Sequence, residues 1–280
     1  MSSDIKKIVQ NAAVNAELEN KKLTQETIDM IESCLKTKNG SFLFHLYLRT
    51  KGNGLGYGEE ILEGSKNSKY CYDNGVLINN YGIRDMELLH IVESDVAAFY
   101  QSEIVSGNSK YKFNFDVNSY LALHYTLFSS IYSFAGEIRD EFIYKSCEPY
   151  LQGKTPFCLP QNIYNCLYNT LYDMKNKILT INTRDELVNY LSYYYGELNM
   201  VHPFREGNGR TLRTYILLLV DKFFDSFEID YSLWDEEDRE RLIKGTIINS
   251  VNGSIDDIRD CFDKVIVEKR IKKRVKSINS

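Results

Sequence analysis

Apolar residues recur at helical spacing on both sides of a break at His202-Pro203, and this constrains the chain more than any other feature. Leu187, Tyr190, Leu191, Tyr194, Leu198 and Val201 share one face of a helix opened by the capping-box sequence Thr183-Arg184-Asp185-Glu186. Proline pushes the residue before it out of the α region, so that helix ends at His202. A second helix starts near Asn208 and carries Leu212, Ile216, Leu219, Val220 and Phe223. A helix end, a tight loop and a helix start therefore fall within a few residues.

Helical patterning dominates elsewhere too. Ile5, Ile8, Val9, Ala12, Ala13 and Ala16 mark one helix, Ile28, Ile31 and Leu35 a second that starts at Thr24, and Asn39-Gly40 a stop. Further helices are expected over 85–106, 118–134, 161–178, 235–251 and 255–277. Glu141–Lys145 and Thr155–Cys158 flank a turn-rich stretch and read as a β-hairpin, the one hairpin of note. The glycines at 52–58 lack the preceding strand of a dinucleotide site, and Gly58 to Lys66 lacks the spacing of a phosphate loop. With no repeat and no clear linker, the expectation is an all-α bundle with one small hairpin and an N-terminal helical extension.

A net charge of −5 argues against nucleic-acid binding by bulk electrostatics. The basic run from Lys269 to Lys276 reads as a solvated helix end. No stretch approaches the length of a membrane span and no secretory signal opens the chain, so a cytoplasmic location is expected, with export by a signal-less route left open. The six cysteines form no CxxC and no zinc spacing, and read as free thiols.

The loop carries the chemistry. Gly207, Asn208 and Gly209 leave backbone N–H groups free to close on an anion at a helix N-terminus. Arg210 and Arg213, three apart, lie over the same anion, and two guanidinium forks suit a polyphosphate. Glu206 is a hard oxygen ligand suited to Mg²⁺, and His202 has the pKa class of a general base. Each residue alone is commonplace, the histidine as a structural group and the Glu–Arg spacing as a surface pair; their joint occurrence is not.

His202 to Arg213 resembles the Fic-family signature HPFx(D/E)GNGRxxR at every defined position. The resemblance extends over about 70–262, through Tyr70–Tyr72, Val76–Asp85, His124–Arg139, Ile229–Tyr231 and Asn249–Gly253. It implies a Fic-fold helical bundle with a β-hairpin flap that transfers AMP from ATP to a protein hydroxyl. By position, His202 would deprotonate the target and Glu206 would hold Mg²⁺. Gly207, Asn208 and Gly209 would cradle phosphates, with Arg210 and Arg213 over the β- and γ-phosphate regions. The hairpin would align an extended target by strand addition, with Lys145 and Phe157 as flap residues. Glycine at both 207 and 209 resembles the AMP-transferring members, not those that transfer phosphate or phosphocholine.

Family members are often restrained by a helix bearing (S/T)xxxE(G/N). Residues 9–26 resemble it, with Glu19-Asn20 as E(G/N) and Asn15 where Ser or Thr is usual. Asn15 is longer than serine, which predicts looser docking. A register through Ala12 and Ala16 would remove the motif, and simple packing of the helix on the core is a third alternative. The expected division is an N-terminal extension (1–40), a connector (41–69) and a Fic domain with C-terminal helices (70–280). The expected activity is Mg²⁺-dependent AMP transfer to a Ser, Thr or Tyr hydroxyl of a target protein, the chain itself included. AMP removal by the same site, or an idle peptide-binding module, are the alternatives.

Overall fold

The computed structural model describes residues 2–19, 21–51 and 68–269. Its ten helices are α1 (Ser2–Glu17), α2 (Gln25–Cys34), α3 (Gly40–Lys51), α4 (Met86–Val105), α5 (Val117–Phe128), α6 (Ile163–Lys177), α7 (Arg184–Val201), α8 (Asn208–Phe223), α9 (Glu236–Asn252) and α10 (Asp256–Val265). Half of them begin where a short polar side chain satisfies a first-turn N–H group. Thr24, Asp85 and Asp116 cap α2, α4 and α5, and the Thr183–Glu186 box opens α7.

Helix α8 is buried on nearly every side and forms the axis of the bundle, with α7, α5, α4 and α1 against it. The α1 helix lies mainly along α4 and the turn at 231–233, burying Val9, Ala12, Ala13 and Ala16 in the common core. The N-terminal extension is therefore packed into the bundle. No helix among the described residues is long and apolar enough to cross a membrane.

Strands β1 (Tyr144–Ser146) and β2 (Lys154–Pro156) pair antiparallel, Lys145 opposite Thr155, and form the expected hairpin. The structure differs from expectation elsewhere. An unexpected second antiparallel pair, β3 (Phe227–Ile229) with β4 (Ile266–Glu268), joins strands separated by two helices and is not a hairpin. The helix expected over 255–277 stops at Val265, where the chain turns extended to meet β3; residues 270–280, with most of the basic run, lie outside the described residues. Residues 40–51 form α3, inside the stretch read as a connector, and the glycines at 52–58 lie outside the described residues. Helix α5 ends six residues short of the expected 134, in a turn.

Candidate active site

The α7–α8 loop is fixed by two backbone reversals. His202 caps α7 in the left-handed region (φ 44°), and Gly207 precedes α8 at φ 76°. A Cβ on Gly207 would come within 2.5 Å of the Phe128 ring, so glycine is required there for space as well as for backbone sign. Between them Phe204 is fully buried, and its N–H donates to Asn208 Oδ1 while Asn208 Nδ2 donates to Phe204 O, both at 2.8 Å. Phe204 thus anchors the loop, and Asn208 locks its curve.

His124 supports the loop from below. Its ring stacks on Phe204 with centroids 3.7 Å apart. Its Nδ1 accepts the Gly136 N–H at 2.8 Å, so Nε2 carries the proton donated to Glu206 O at 2.9 Å. Burial pushes its pKa down to about 3, which keeps it neutral.

The first-turn N–H groups of Asn208, Gly209 and Arg210 have no intrahelical acceptor, and Thr211 N–H is the first to find one, in Gly207 O at 3.0 Å. Arg210 lies beside them, 2% exposed. Its Nη2 donates to Glu93 and to Glu206 Oε1, the latter at 3.1 Å, while Nε and Nη1 are buried with no partner. Two idle donors on a buried guanidinium are costly unless an acceptor fills the space.

Glu93 on α4 also accepts from Lys21 Nζ at 2.9 Å and from the Tyr132 hydroxyl. Burial opposes its charge, but Arg210 and Lys21 outweigh burial and hold its pKa down at about 2. Burial and neighbouring Glu93 instead push the Glu206 pKa up. A cation at Glu206 would relieve that penalty. Among the described residues no three His, Cys, Asp or Glu side chains gather into a metal cluster. An ion at Glu206 would draw its other oxygens from phosphate and water, the manner in which Mg²⁺ is usually held.

His202 stands at the far side of the loop. Its Nδ1–H points to Asn199 O at 3.2 Å, which assigns Nε2 as the basic nitrogen. Its ring stacks on Phe157 at the end of β2, with centroids 3.6 Å apart. Buried Arg139 ties the same region together: Nε donates to His202 O at 2.8 Å, Nη1 to Glu141 O and Nη2 to Cys158 O. Lys145 lies in β1, where only its backbone is described.

Arg213 faces α1. Its Nη2 is 2.5 Å from Glu19 Oε1, its Nε donates to Asn15 Oδ1, and Tyr195 OH accepts from Nη1 at 3.3 Å. Burial opposes the Glu19 charge, yet Arg213 and Arg210 together keep its pKa lowered. Asn15 is 1% exposed, and its amide nitrogen donates to Gln101 Oε1 and Arg210 O. The expectation of loose docking at Asn15 is therefore corrected: the longer amide reaches more partners than a hydroxyl can. The register facing Arg213 is Asn15–Glu19, while Ala12 and Ala16 pack into the core; Asn20 lies outside the described residues.

Residues His202, Glu206, Gly207–Arg210, Arg213, Glu19, Asn15 and Phe157 thus converge on one site. The sequence reading did not assign roles to Glu93, Lys21, Tyr132, His124 or Arg139. The one signal for Arg139 was its position at the end of the 124–139 resemblance.

Comparison with known proteins follows this geometry. Residues 114–220 match the Fic/DOC family. The protein adenylyltransferase VbhT of Bartonella schoenbuchensis is 30% identical over 213 residues, 76% of this chain and 42% of VbhT. The probable protein adenylyltransferase Fic of Escherichia coli is 31% identical over 94 residues, 33% of this chain and 44% of that protein. The chain thus spans less than half the length of either relative. Among solved structures, the Bartonella tribocorum effector BepC with bound AMPPNP superposes with TM-score 0.61 at 20% identity, covering 74% of this chain and 97% of that one. A Fic family protein from Desulfovibrio desulfuricans superposes with TM-score 0.57 at 13% identity, covering 92% of this chain and 62% of that one. At such identities the structural likeness concerns the fold.

Proposed function

We propose that the chain, whose residues 114–220 match the Fic/DOC family, is a protein adenylyltransferase of that family, moving AMP from ATP to a side-chain hydroxyl of a target protein. The observation that carries the reading is Arg210: a buried guanidinium with two idle donors, beside the open first turn of α8 and the Glu206 carboxylate. That arrangement calls for a phosphate-bearing ligand. The names of the relatives, and the AMPPNP bound to BepC, support ATP.

The chain's residues divide the work. Nε2 of His202 accepts the proton of the target hydroxyl as its oxygen attacks the α-phosphorus. The bond from that phosphorus to the bridging oxygen breaks, and pyrophosphate leaves. Arg210 and the N–H groups of the nest hold the phosphate oxygens in line for this displacement. Mg²⁺ on Glu206, when bound, would neutralise charge building on the leaving pyrophosphate. The β1–β2 hairpin, with Lys145 on its strand and Phe157 against His202, would lay an extended target segment across the base. Ser, Thr and Tyr hydroxyls, including the chain's own, are the acceptors this chemistry allows.

In this reading Glu19 occupies the place of the outermost phosphate and restrains the enzyme. Its contact with Arg213, a charge-assisted bond of ~1.5–3 kcal/mol, opposes productive ATP binding. The test is incubation with radiolabelled ATP and Mg²⁺, for the wild type, Glu19→Gly and Glu19→Gly/His202→Ala. Label on protein is expected from Glu19→Gly, weak from the wild type and absent from the double variant. No His202-dependent label from any nucleotide would overturn the reading.

The ionised Glu19 beside the site also supports a second reading, in which its carboxylate orients water for removal of AMP from modified proteins. Glu19→Gly would then abolish AMP release and leave transfer no faster.

A further inference from the structure

Four of the six cysteines are buried, whereas Cys158 and Cys166 are both partly exposed. Their sulfurs lie 3.5 Å apart, the one Sγ–Sγ contact recorded among the described residues. Cys158 lies two residues beyond β2, and Cys166 sits in the first turns of α6. Both line a cavity of about 520 Å³ that reaches Phe157, Met200 and Glu197, so a small solute can approach them. No third His, Cys, Asp or Glu joins the pair into a metal cluster among the described residues, which favours sulfur–sulfur chemistry over cation binding.

The surroundings connect this pair to the base. Cys158 N–H donates to Met200 O at 3.0 Å, and Cys158 O accepts from Arg139 Nη2 at 2.7 Å. The preceding residue, Phe157, stacks on His202, and Arg139 also holds the His202 carbonyl. A disulfide needs sulfurs about 2.05 Å apart, so they must close by roughly 1.5 Å. Because the Cys158 backbone is bonded at both its N–H and its carbonyl, that closure would strain these bonds and the adjoining Phe157 ring.

We propose that Cys158 and Cys166 form a dithiol modification site at the root of the flap, which two-electron thiol oxidants convert to an intramolecular disulfide that slows transfer at His202. The coupling to transfer rests on the adenylyltransferase reading; the disulfide does not. With hydrogen peroxide, one thiolate attacks a peroxide oxygen, the O–O bond breaks, and a sulfenic acid forms with loss of hydroxide. The second sulfur then attacks the first, the S–O bond breaks, and the oxygen leaves as water. Two thiols lose two electrons and two protons, peroxide gains both, and two waters result. Burial pushes the Cys158 thiol up to about 11, so the reaction accelerates as pH rises above neutrality.

The full chain is treated with hydrogen peroxide, remaining thiols are alkylated, and peptides are mapped by mass. A single 158–166 linkage lighter by two hydrogens, reversed by dithiothreitol, is the expected result. In oxidised protein the His202 ring resonances should shift by NMR, and labelling from ATP should fall roughly tenfold or more, because small misplacements of a base are costly. Cys166→Ser should show neither change. Alkylation of both Cys158 and Cys166 after oxidation, or linkage through the other cysteines, would overturn the site. A 158–166 disulfide with unmoved His202 resonances or unchanged labelling would overturn the coupling. Mapping and NMR require no turnover, so an inactive reduced protein would count against adenylyl transfer alone.

Discussion

Glu93 and His124 make the site sensitive to acid through opposite protonation states. His124 is held neutral, with its pKa down at about 3 against 6.5 unfolded, so below pH 6.5 the unfolded chain binds a proton that the folded one refuses. Stability from this source is complete above pH 6.5 and drains as pH falls towards 3. Glu93 is held ionised, about 2 against 4.5, so its contribution is complete above pH 4.5 and drains towards 2. Each amounts to something on the order of 3–5 kcal/mol. Urea midpoints should therefore already drop between pH 7 and 5, and a flat profile there would contradict the His124 assignment. Glu206 moves the other way: burial raises its pKa, so it neutralises at milder acidity than an ordinary carboxylate and metal-dependent labelling should fail first. These side chains could not be found by reading along the chain, because Glu93 meets Arg210, Lys21 and Tyr132 from four separate stretches. The 202–213 loop could, since one contiguous run carries base, carboxylate, nest and both arginines.

At the scale of elements, α1 is tied to the site by polar contacts. Asn15 holds it to Gln101 and Arg213, and Glu19 completes the contact one turn later. Asn15→Ala leaves a buried donor, Arg213 Nε, and a buried acceptor, Gln101 Oε1, without this partner and should cost about 1–3 kcal/mol in urea unfolding. Labelling should rise, by less than in Glu19→Gly because the carboxylate remains; no rise would mean that α1 is held by its apolar face alone. The long helices were legible because six or more apolar residues repeat the period, as in α7. Shorter pieces were not. Gly40 read as a stop, yet it opens α3, where a Cβ would come within 2.2 Å of Cys34 O, so glycine serves close approach there. Strand β4 is three residues long, too short to display alternation, and its partner lies some forty residues earlier in the chain.

For the molecule as a whole, ligand linkage tests the proposed restraint without reference to any target. ATP with Mg²⁺ should raise the melting temperature of Glu19→Gly more than that of the wild type, because binding no longer displaces a bonded carboxylate. A contact of ~1.5–3 kcal/mol corresponds to an affinity difference of roughly ten- to a hundredfold. Equal shifts in both proteins would separate Glu19 from nucleotide binding. The seat of Glu19 also reaches Gly209, where an added Cβ would lie 2.5 Å from Glu19 Oε1 and 2.8 Å from Arg213 Nη1. Both atoms end flexible side chains, so a larger residue is physically tolerable once they part. Under the proposed restraint, added bulk at 209 beside Glu19 would dislodge the carboxylate and raise labelling, whereas the same change in Glu19→Gly would leave labelling unaltered. Residues 19 and 209, far apart in the chain, are thereby tied by one steric contact, in which added bulk at 209 is accommodated only where the Glu19 carboxylate gives way.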